Sequence, residues 1–226
     1  MVENLQIRQA AQDDIPFVIE AIIESEKGGT QTISTCRIFE LSGNEFKQIL
    51  GDILLHNIDN FDYSLSGFLI AERNGEKVGA LGSWIEAAGG SPSGIIKATV
   101  LSPFINKTKI KEINKNTMII KSLSINKEPG TLQLEHGYTT EKFRRQGIFT
   151  ALIIEQIRRN YEKYNFKKVQ GILFKENYKS YNALVKLGYI TTVERHIDSP
   201  EIINFFPYHT KVLMELDEDT FSKLLQ

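Results

Sequence analysis

The sequence EKFRRQGIFT, residues 141–150, joins a strand-like segment at 131–138 to a run of apolar residues at helical spacing. It predicts an anion-binding helix N-terminus, because the first turn of a helix has unpaired N–H groups and the positive end of the dipole. Gly147 has no Cβ, so it can adopt a positive φ and admit a bulky ligand. Arg144 and Arg145 can form charge-assisted hydrogen bonds to phosphate oxygens. The stretch therefore indicates a pyrophosphate cradle, the alternative being a surface loop with two solvated arginines.

The composition restricts the class of protein. The chain has 226 residues, a formal net charge of −1 and 41% hydrophobic residues. This charge gives no reason to expect nucleic acid or an anionic membrane as a partner. No apolar run approaches the ~20 residues of a membrane span, and the N-terminus lacks a signal-peptide pattern, so a cytoplasmic protein is expected. Cys36 is the only cysteine, which excludes an intrachain disulfide and a cysteine-based zinc site. We interpret it as a buried or idle thiol, and we expect no metal.

Strand and helix signals alternate along the chain. A short strand precedes a helix with Pro16 in its first turn, Ser42 and Glu45 form the capping box of a second helix, and Asn74-Gly75 marks a β-hairpin. A strand, a helix, a strand, a helix and two final strands follow. This order predicts a single domain over residues 1–226, with a mixed sheet and helices on both faces. Residues 87–130 are interpreted as an insertion between the third and fourth strands, with one or two helices and a solvated basic face.

Two motifs in this order resemble those of the GNAT superfamily of acyl-CoA-dependent N-acyltransferases. That family's phosphate motif is Arg or Gln, two residues, Gly, one residue, then Gly or Ala; residues 144–149 match it except for Phe149 at the end. A second motif has an Asn, a small residue three positions later, and a Gly followed by an aromatic residue. Its matching residues are Asn177, Ser180, Gly188 and Tyr189. The resemblance covers residues 131–189 well and omits 87–130. It implies an α/β (α+β) fold with a mostly antiparallel sheet and splayed central strands.

The resemblance also implies that acetyl-CoA, or another acyl-CoA, is the acyl donor. The N–H groups of residues 146–150 would hold its pyrophosphate, and its pantetheine arm would lie between strands 132–140 and 169–174 like an added strand. N–H groups near Tyr138 would polarise the thioester carbonyl. Asn177 would contact the cofactor, serve as a helix N-cap, or do both. The residues expected to bind the cofactor are Tyr138, Thr139, Thr140, Arg144, Arg145, Gln146, Gly147, Ile148, Phe149, Thr150, Asn177 and Ser180.

Direct attack by an amine requires a base and a proton for the departing thiolate. Relatives often place a carboxylate or histidine on the central strand, and Glu135 matches such a position as base or amine-binding anion. His136 is the weaker candidate and is expected on the opposite face, because side chains alternate along a strand. Many relatives have a tyrosine acid where this chain has Leu184, so Tyr181, one turn earlier, is the substitute, and Tyr178 is weaker. The alternatives are paired strand residues and packing tyrosines.

The leading interpretation is therefore an enzyme that moves an acetyl or other short acyl group to an amine in a ternary complex. A non-catalytic acyl-CoA sensor is the alternative, and an interaction domain that uses residues 87–130 is a third. The acceptor site is expected between the first helical region, the 28–40 loop and the loop between the last two strands. Its acidic residues would attract a cationic amine or form a solvated face: Glu20, Glu24, Glu26 and Glu40. The identity of the amine stays open, and a homodimer is one option.

Overall fold

A computed structural model describes residues 4–226, apart from the side chains of residues 118–120. The strands of this described chain form one seven-stranded sheet in the order β1-β2-β3-β4-β5-β7-β6. Its strands are β1 Leu5–Gln9, β2 Phe68–Arg73, β3 Glu76–Ile85, β4 Leu132–Thr139, β5 Lys168–Phe174, β6 Ile190–His196 and β7 Thr210–Asp217. Neighbouring strands are antiparallel except for β4 and β5. The mixed, mostly antiparallel sheet expected from the sequence is confirmed.

Helices cover both faces of the sheet. They are α1 Ile15–Lys27, α2 Ser34–Phe39, α3 Gly43–His56, α4 Ser93–Leu101, α5 Ile110–Ile120, α6 Ile148–Lys163, α7 Tyr178–Lys186 and α8 Glu218–Leu224. Buried residues of α1 and α3 form a core with one face of β2 and β3, whereas α6, α7 and α8 pack on the other face. Each face therefore has its own apolar core. Among the described helices, none has both the length and the apolar character needed to cross a membrane.

The local signals in the sequence act as expected. The Ser42 hydroxyl accepts a hydrogen bond from the Glu45 N–H at 3.2 Å, and the Glu45 carboxylate accepts one from the Ser42 N–H at 2.7 Å. Gly28 ends α1 with a φ of 56°. Asn74 and Gly75 connect β2 to β3 with φ values of 52° and 79°, which suit a type I′ hairpin turn. The capping box, the helix end and the hairpin are thus confirmed.

The sheet opens at its centre, between β4 and β5. These two strands pair only through Leu132 with Val169 and Gln133 with Gln170. From residue 134 to residue 139, the edge of β4 that faces β5 has no strand partner within the described chain. An open edge of this kind can pair with an extended ligand through main-chain hydrogen bonds.

A β-bulge interrupts β4 at His136. Glu135 pairs with Gly82 and Tyr138 with Ala80, so two residues of β4 lie opposite the single residue Leu81. His136 adopts a φ of 55° at this point. Because the extra residue breaks the alternation of side chains, His136 lies on the same face as Glu135, where it contacts α1. The expectation that the two side chains lie on opposite faces is therefore wrong.

The segment between β3 and β4 carries α4 and α5 and then returns across the sheet on the α1 face. In this return, the N–H of Glu128 donates to Oε1 of Gln170 on β5 at 3.2 Å. Lys168 on the same strand pairs with the Glu128 carboxylate at 2.8 Å. The segment is thus attached to the sheet near the point where β4 and β5 separate.

Candidate active site

The N-terminus of α6 presents a row of unpaired N–H groups. Gly147 is the N-cap residue with a φ of 80°, and Arg145 has a φ of 63°. The N–H of Ala151 donates to the Gly147 carbonyl at 2.9 Å, whereas the N–H groups from Arg145 to Thr150 have no acceptor within the described chain. Together with the helix dipole, they form a site suited to an anion.

The side chains around this helix end are mostly cationic and partly fixed. Nε of Arg144 donates to the Thr139 carbonyl at 3.1 Å, so its guanidinium lies at the end of β4. Arg73 donates to Oε1 of Gln146 at 2.6 Å. Arg144, Arg145 and Gln146 are all exposed. The structure thus brings together the predicted residues of the phosphate motif, and their groups are open to a ligand.

The side chain of Phe149 lies in the core between α6 and β4. A Cβ on Gly137 would overlap Cε2 of Phe149 and lie only 3.2 Å from its Cζ. The ring therefore occupies the space that the missing side chain of Gly137 leaves, and it packs against the core beneath the sheet. Phe149 and the buried Ile148 can contribute only their N–H groups to the anion site.

Two further groups have unused hydrogen-bonding capacity, one at the end of β4 and one just after β5. The hydroxyl of Thr139 is buried and has no hydrogen-bond partner among the described residues. Asn177 holds the N-cap position of α7, yet its side chain makes no capping hydrogen bond. Asn177 therefore does not cap the helix through its side chain, which was one of its two expected roles. Its amide is available to a ligand, together with Ser180 on the next turn. An orphaned hydroxyl and a free amide fit a cofactor rich in carbonyl and amide groups.

A polar cluster lies at the bulge, on the α1 face of the sheet. Nδ1 of His136 is 3.2 Å from Oγ of Ser25 on α1, and Nε2 is 3.3 Å from Oδ2 of Asp62. The imidazole centroid lies 5.5 Å from that of Tyr63 and 6.4 Å from that of Phe68. Both ring nitrogens are thus engaged and two aromatic rings pack near the imidazole, which restricts its orientation.

Two lysines from the insertion neutralise the carboxylates of this cluster. Lys97 pairs with the buried Asp62 at 2.6 Å, and Lys127 pairs with Glu135 at 2.9 Å. Burial acts to raise the pKa of Asp62, but Lys97 and His136 outweigh it and hold that pKa well below its usual range. The interpretation of Lys97 as part of a solvated basic face is therefore wrong.

The cluster is compact enough to act as a unit. One oxygen of Asp62, one of Glu135 and one ring nitrogen of His136 lie within 4.8 Å of one another. This spacing would suit a cation, yet each carboxylate already faces a lysine ammonium. Sequence reasoning found Glu135 and His136 but missed Asp62, Ser25 and the two lysine partners. No local pattern marks them, since they come from four separate segments.

The structure does not bring Tyr181 to this cluster. Its hydroxyl is 3.2 Å from Oγ1 of Thr191 on β6. Because β5 and β7 separate β6 from β4, this hydroxyl lies roughly 10–15 Å from β4 at ~4.8 Å per strand. Leu184, at the position of the usual tyrosine acid, is buried in the core, and Tyr178 is exposed. The described part of α7 therefore places no tyrosine hydroxyl beside Glu135.

The region expected to hold the acceptor contains a cavity of about 530 Å³. Its walls come from residues 31–43, where the structure has the helix α2 in place of the expected loop, from α5 and from the loop before β7; they include Arg37, Glu40, Glu112, Asn116, Asn204 and Phe205. The cavity lies beside the cluster rather than within it, because its walls include no described residue of β4 or of 141–150.

The carboxylate of Glu26 lies near this cavity and accepts two hydrogen bonds. Thr35, next to the wall residue Cys36, donates to it at 2.7 Å, and the Tyr63 hydroxyl donates at 2.9 Å. Glu26 is therefore engaged by hydroxyl groups and does not form a solvated face.

Comparison with solved structures identifies the fold. An N-acetyltransferase from Staphylococcus aureus Mu50 superposes with a TM-score of 0.61 at 14% identity, covering 93% of this chain and 100% of that one. A ribosomal-protein-alanine N-acetyltransferase from Brucella melitensis superposes with a TM-score of 0.53 at 14% identity, covering 94% of this chain and 99% of that one. The aminoglycoside acetyltransferase AAC(6')-Ib in complex with coenzyme A superposes with a TM-score of 0.54 at 14% identity, covering 98% of this chain and 99% of that one.

These matches define the class of fold. The chain has the fold of the GNAT N-acetyltransferases, as its two motifs indicate. No family model and no curated protein sequence matches it. The resemblance thus lies in three-dimensional structure, and the activity has to be argued from the site itself.

Proposed function

We propose that this protein is an acyl-CoA-dependent N-acyltransferase that moves an acetyl or other short acyl group directly to an amine. One observation carries the proposal: the unpaired N–H groups at the start of α6 lie at the end of β4, whose open edge leads to Glu135 and His136. A pyrophosphate at the helix and an acyl thioester at the bulge would thus be connected by one extended arm. Coenzyme A has this layout.

Each part of the site has a defined task in this reaction. The N–H groups of residues 145–150 and the two arginines bind the pyrophosphate. The open edge of β4 and the Thr139 hydroxyl hold the arm, and Asn177 and Ser180 contact it from α7. An N–H near Tyr138 polarises the thioester carbonyl. The acyl donor supplies an activated carbonyl, so the protein has to position the amine and accept its proton.

Glu135 is the proposed proton acceptor or amine-binding anion. Its carboxylate lies at the bulge within the polar cluster, where it pairs with Lys127 at 2.9 Å. Replacement of Glu135 by Gln should lower turnover and change the pH dependence while cofactor binding persists. An unchanged pH–rate profile would exclude Glu135 as the base.

Titration calorimetry with acetyl-CoA tests the proposal. Arg144→Glu should weaken binding at least tenfold, because a charge-assisted contact contributes about 1.5–3 kcal/mol and the new carboxylate repels phosphate. Arg195→Glu is the matched control, since Arg195 is exposed on β6 and donates to the Glu194 carbonyl. Binding to this control should equal that of the native protein. Absence of detectable binding to the native protein would refute the proposal.

A second candidate is an acyl-CoA-binding module without turnover. The buried Leu184 and the Tyr181 hydroxyl directed at Thr191 favour it, because an enzyme of this design would lack the usual tyrosine acid. Thiolates leave readily, however, so the acid is dispensable in principle. Release of coenzyme A that depends on added amine would refute this second candidate, whereas binding without release across a broad amine panel would favour it.

A further inference from the structure

Ser25, His136 and Asp62 form a hydrogen-bonded series within the polar cluster. Oγ of Ser25 is 3.2 Å from Nδ1 of His136, and Oδ2 of Asp62 is 3.3 Å from Nε2. An ionised carboxylate only accepts hydrogen bonds, so the neutral imidazole carries its proton on Nε2 and donates it to Asp62. Nδ1 then has a lone pair that faces the serine hydroxyl. This tautomer is the one that can remove the serine proton.

The surroundings hold these three groups in this state. The ring of His136 packs near those of Tyr63 and Phe68, and the bulge fixes its backbone. Lys97 at 2.6 Å keeps Asp62 ionised although the carboxylate is buried. Ser25 projects from α1, which packs closely along β4. A serine, a histidine and an aspartate in this order are one set of groups that can transfer an acyl group through a covalent intermediate.

The series also lies where an acyl group would be delivered. His136 is the bulged residue of β4, and the open edge of the strand begins at residue 134 and runs to the anion site at α6. An acyl-CoA bound along this edge would place its thioester at the bulge, beside Ser25. This step rests on the proposed acyl-CoA site, and the direct reaction with an amine does not use Ser25.

We propose that Ser25 is a nucleophile that accepts the acyl group from acyl-CoA, so that the protein also hydrolyses acyl-CoA slowly when no amine is present. The Oγ–carbonyl bond forms while the serine proton moves to Nδ1 of His136. The carbon–sulfur bond then breaks, and the sulfur takes the proton from His136. Water then attacks the ester carbonyl while Nδ1 of His136 takes its proton. The carbon–Oγ bond breaks, and Oγ takes that proton from His136, which restores Ser25. The net reaction converts acyl-CoA and water into a carboxylic acid and coenzyme A.

Two measurements on the full chain without amine test this proposal. Intact mass spectrometry after mixing with acetyl-CoA should show one added acetyl group, which peptide mapping places on Ser25. Release of coenzyme A should continue at a rate above that of buffer. Ser25→Ala should abolish the adduct and lower the release at least 100-fold. Ser222→Ala, on α8, is the matched control and should behave like the native protein.

The other members of the series have separate tests. His136→Gln should slow adduct formation at least 100-fold. Asp62 acts through His136 as a positioning residue, so Asp62→Asn should slow the reaction and change its pH profile, because Asn can stabilise the wrong tautomer. Ser25→Cys should restore an adduct, now a thioester cleaved by neutral hydroxylamine. Circular dichroism identifies variants that fail to fold.

The outcomes distinguish this proposal from the proposed function. If the native protein acetylates an amine but shows neither a Ser25 adduct nor amine-independent release, the serine proposal is overturned and the acyltransferase stands. An adduct on another residue, or release that survives Ser25→Ala, also overturns it. Absence of acetyl-CoA binding overturns both the acyltransferase proposal and the serine proposal. If coenzyme A is released in a Ser25-dependent reaction but no amine is acetylated, the serine proposal stands and the acyltransferase proposal is overturned.

Discussion

The contact between Gly137 and Phe149 gives the most specific prediction for the proposed cofactor site. Replacement of Gly137 by Ala adds a Cβ that overlaps Cε2 of Phe149 and lies 3.2 and 3.3 Å from Cζ and Cδ2. Carbon atoms pack at about 3.5–4.0 Å, so the ring has to move by roughly 1 Å. Because Phe149 is in the first turn of α6, such a movement shifts the N–H groups of the anion site.

The expected cost follows from the packing. Overpacking of a core typically costs about 1–3 kcal/mol, so Gly137→Ala should lower the free energy of unfolding by that amount. Phe149→Ala should cost about 2–3 kcal/mol, less than for a fully buried phenylalanine because Phe149 is half-buried. In the Phe149→Ala background, Gly137→Ala should cost less than about 0.5 kcal/mol, because the overlapping ring is gone.

Urea unfolding of the four proteins in this double-mutant cycle measures the coupling, and calorimetry with acetyl-CoA measures its effect on the site. A coupling energy of about 1–3 kcal/mol is expected, together with weaker binding by Gly137→Ala. Additive effects within about 0.5 kcal/mol would show that Phe149 does not fill the space above Gly137, and would refute the reasoning.

Three further predictions concern stability and reactivity. Asp14 is buried and pairs with Arg8 and Lys77, both at 2.6 Å, and hydrogen bonds from Arg8 hold its pKa below its usual range despite burial. Asp14→Asn should therefore cost about 2–3 kcal/mol in urea unfolding at pH 7. Because a lowered folded-state pKa contributes stability above the unfolded value, the difference from the native protein should shrink as pH falls below about 4; an equal difference at pH 3 and 7 would contradict this. Ser42→Ala removes a helix cap and should cost about 1 kcal/mol in the same assay, and no change would contradict the capping box. Burial raises the pKa of the Cys36 thiol to about 11, so iodoacetamide at pH 8 should label it only after unfolding; rapid labelling of the folded protein would contradict its burial.

The sequence predicted the elements that depend on short-range rules. The hairpin at Asn74-Gly75, the capping box at Ser42 and the turn at Gly147 are each determined by a few neighbouring residues, and the structure has all of them. The spacing of two motifs was enough to recognise the fold, since each marks one end of the proposed cofactor path.

The sequence could not predict the polar cluster at the bulge. Strand alternation places His136 opposite Glu135, and only the pairing register with β3 shows that one residue is extra. Asp62 and Lys97 are 35 residues apart and meet through tertiary packing. The position of the Phe149 ring depends on Gly137, twelve residues earlier, whose missing side chain leaves room for the ring. The motif that contains Phe149 gives no information about this residue.

The segment between β3 and β4 has a consequence for engineering and for comparison with relatives. It supplies the ammonium groups of Lys97 and Lys127 to two carboxylates that belong to the rest of the fold. A chimera that exchanged this segment for a short loop would leave Asp62 buried without its counter-ion, a strongly destabilising change. Residues 87–130 thus cannot be removed without loss of these two ion pairs. A chimera has to include both the lysines of this segment and the carboxylates with which they pair.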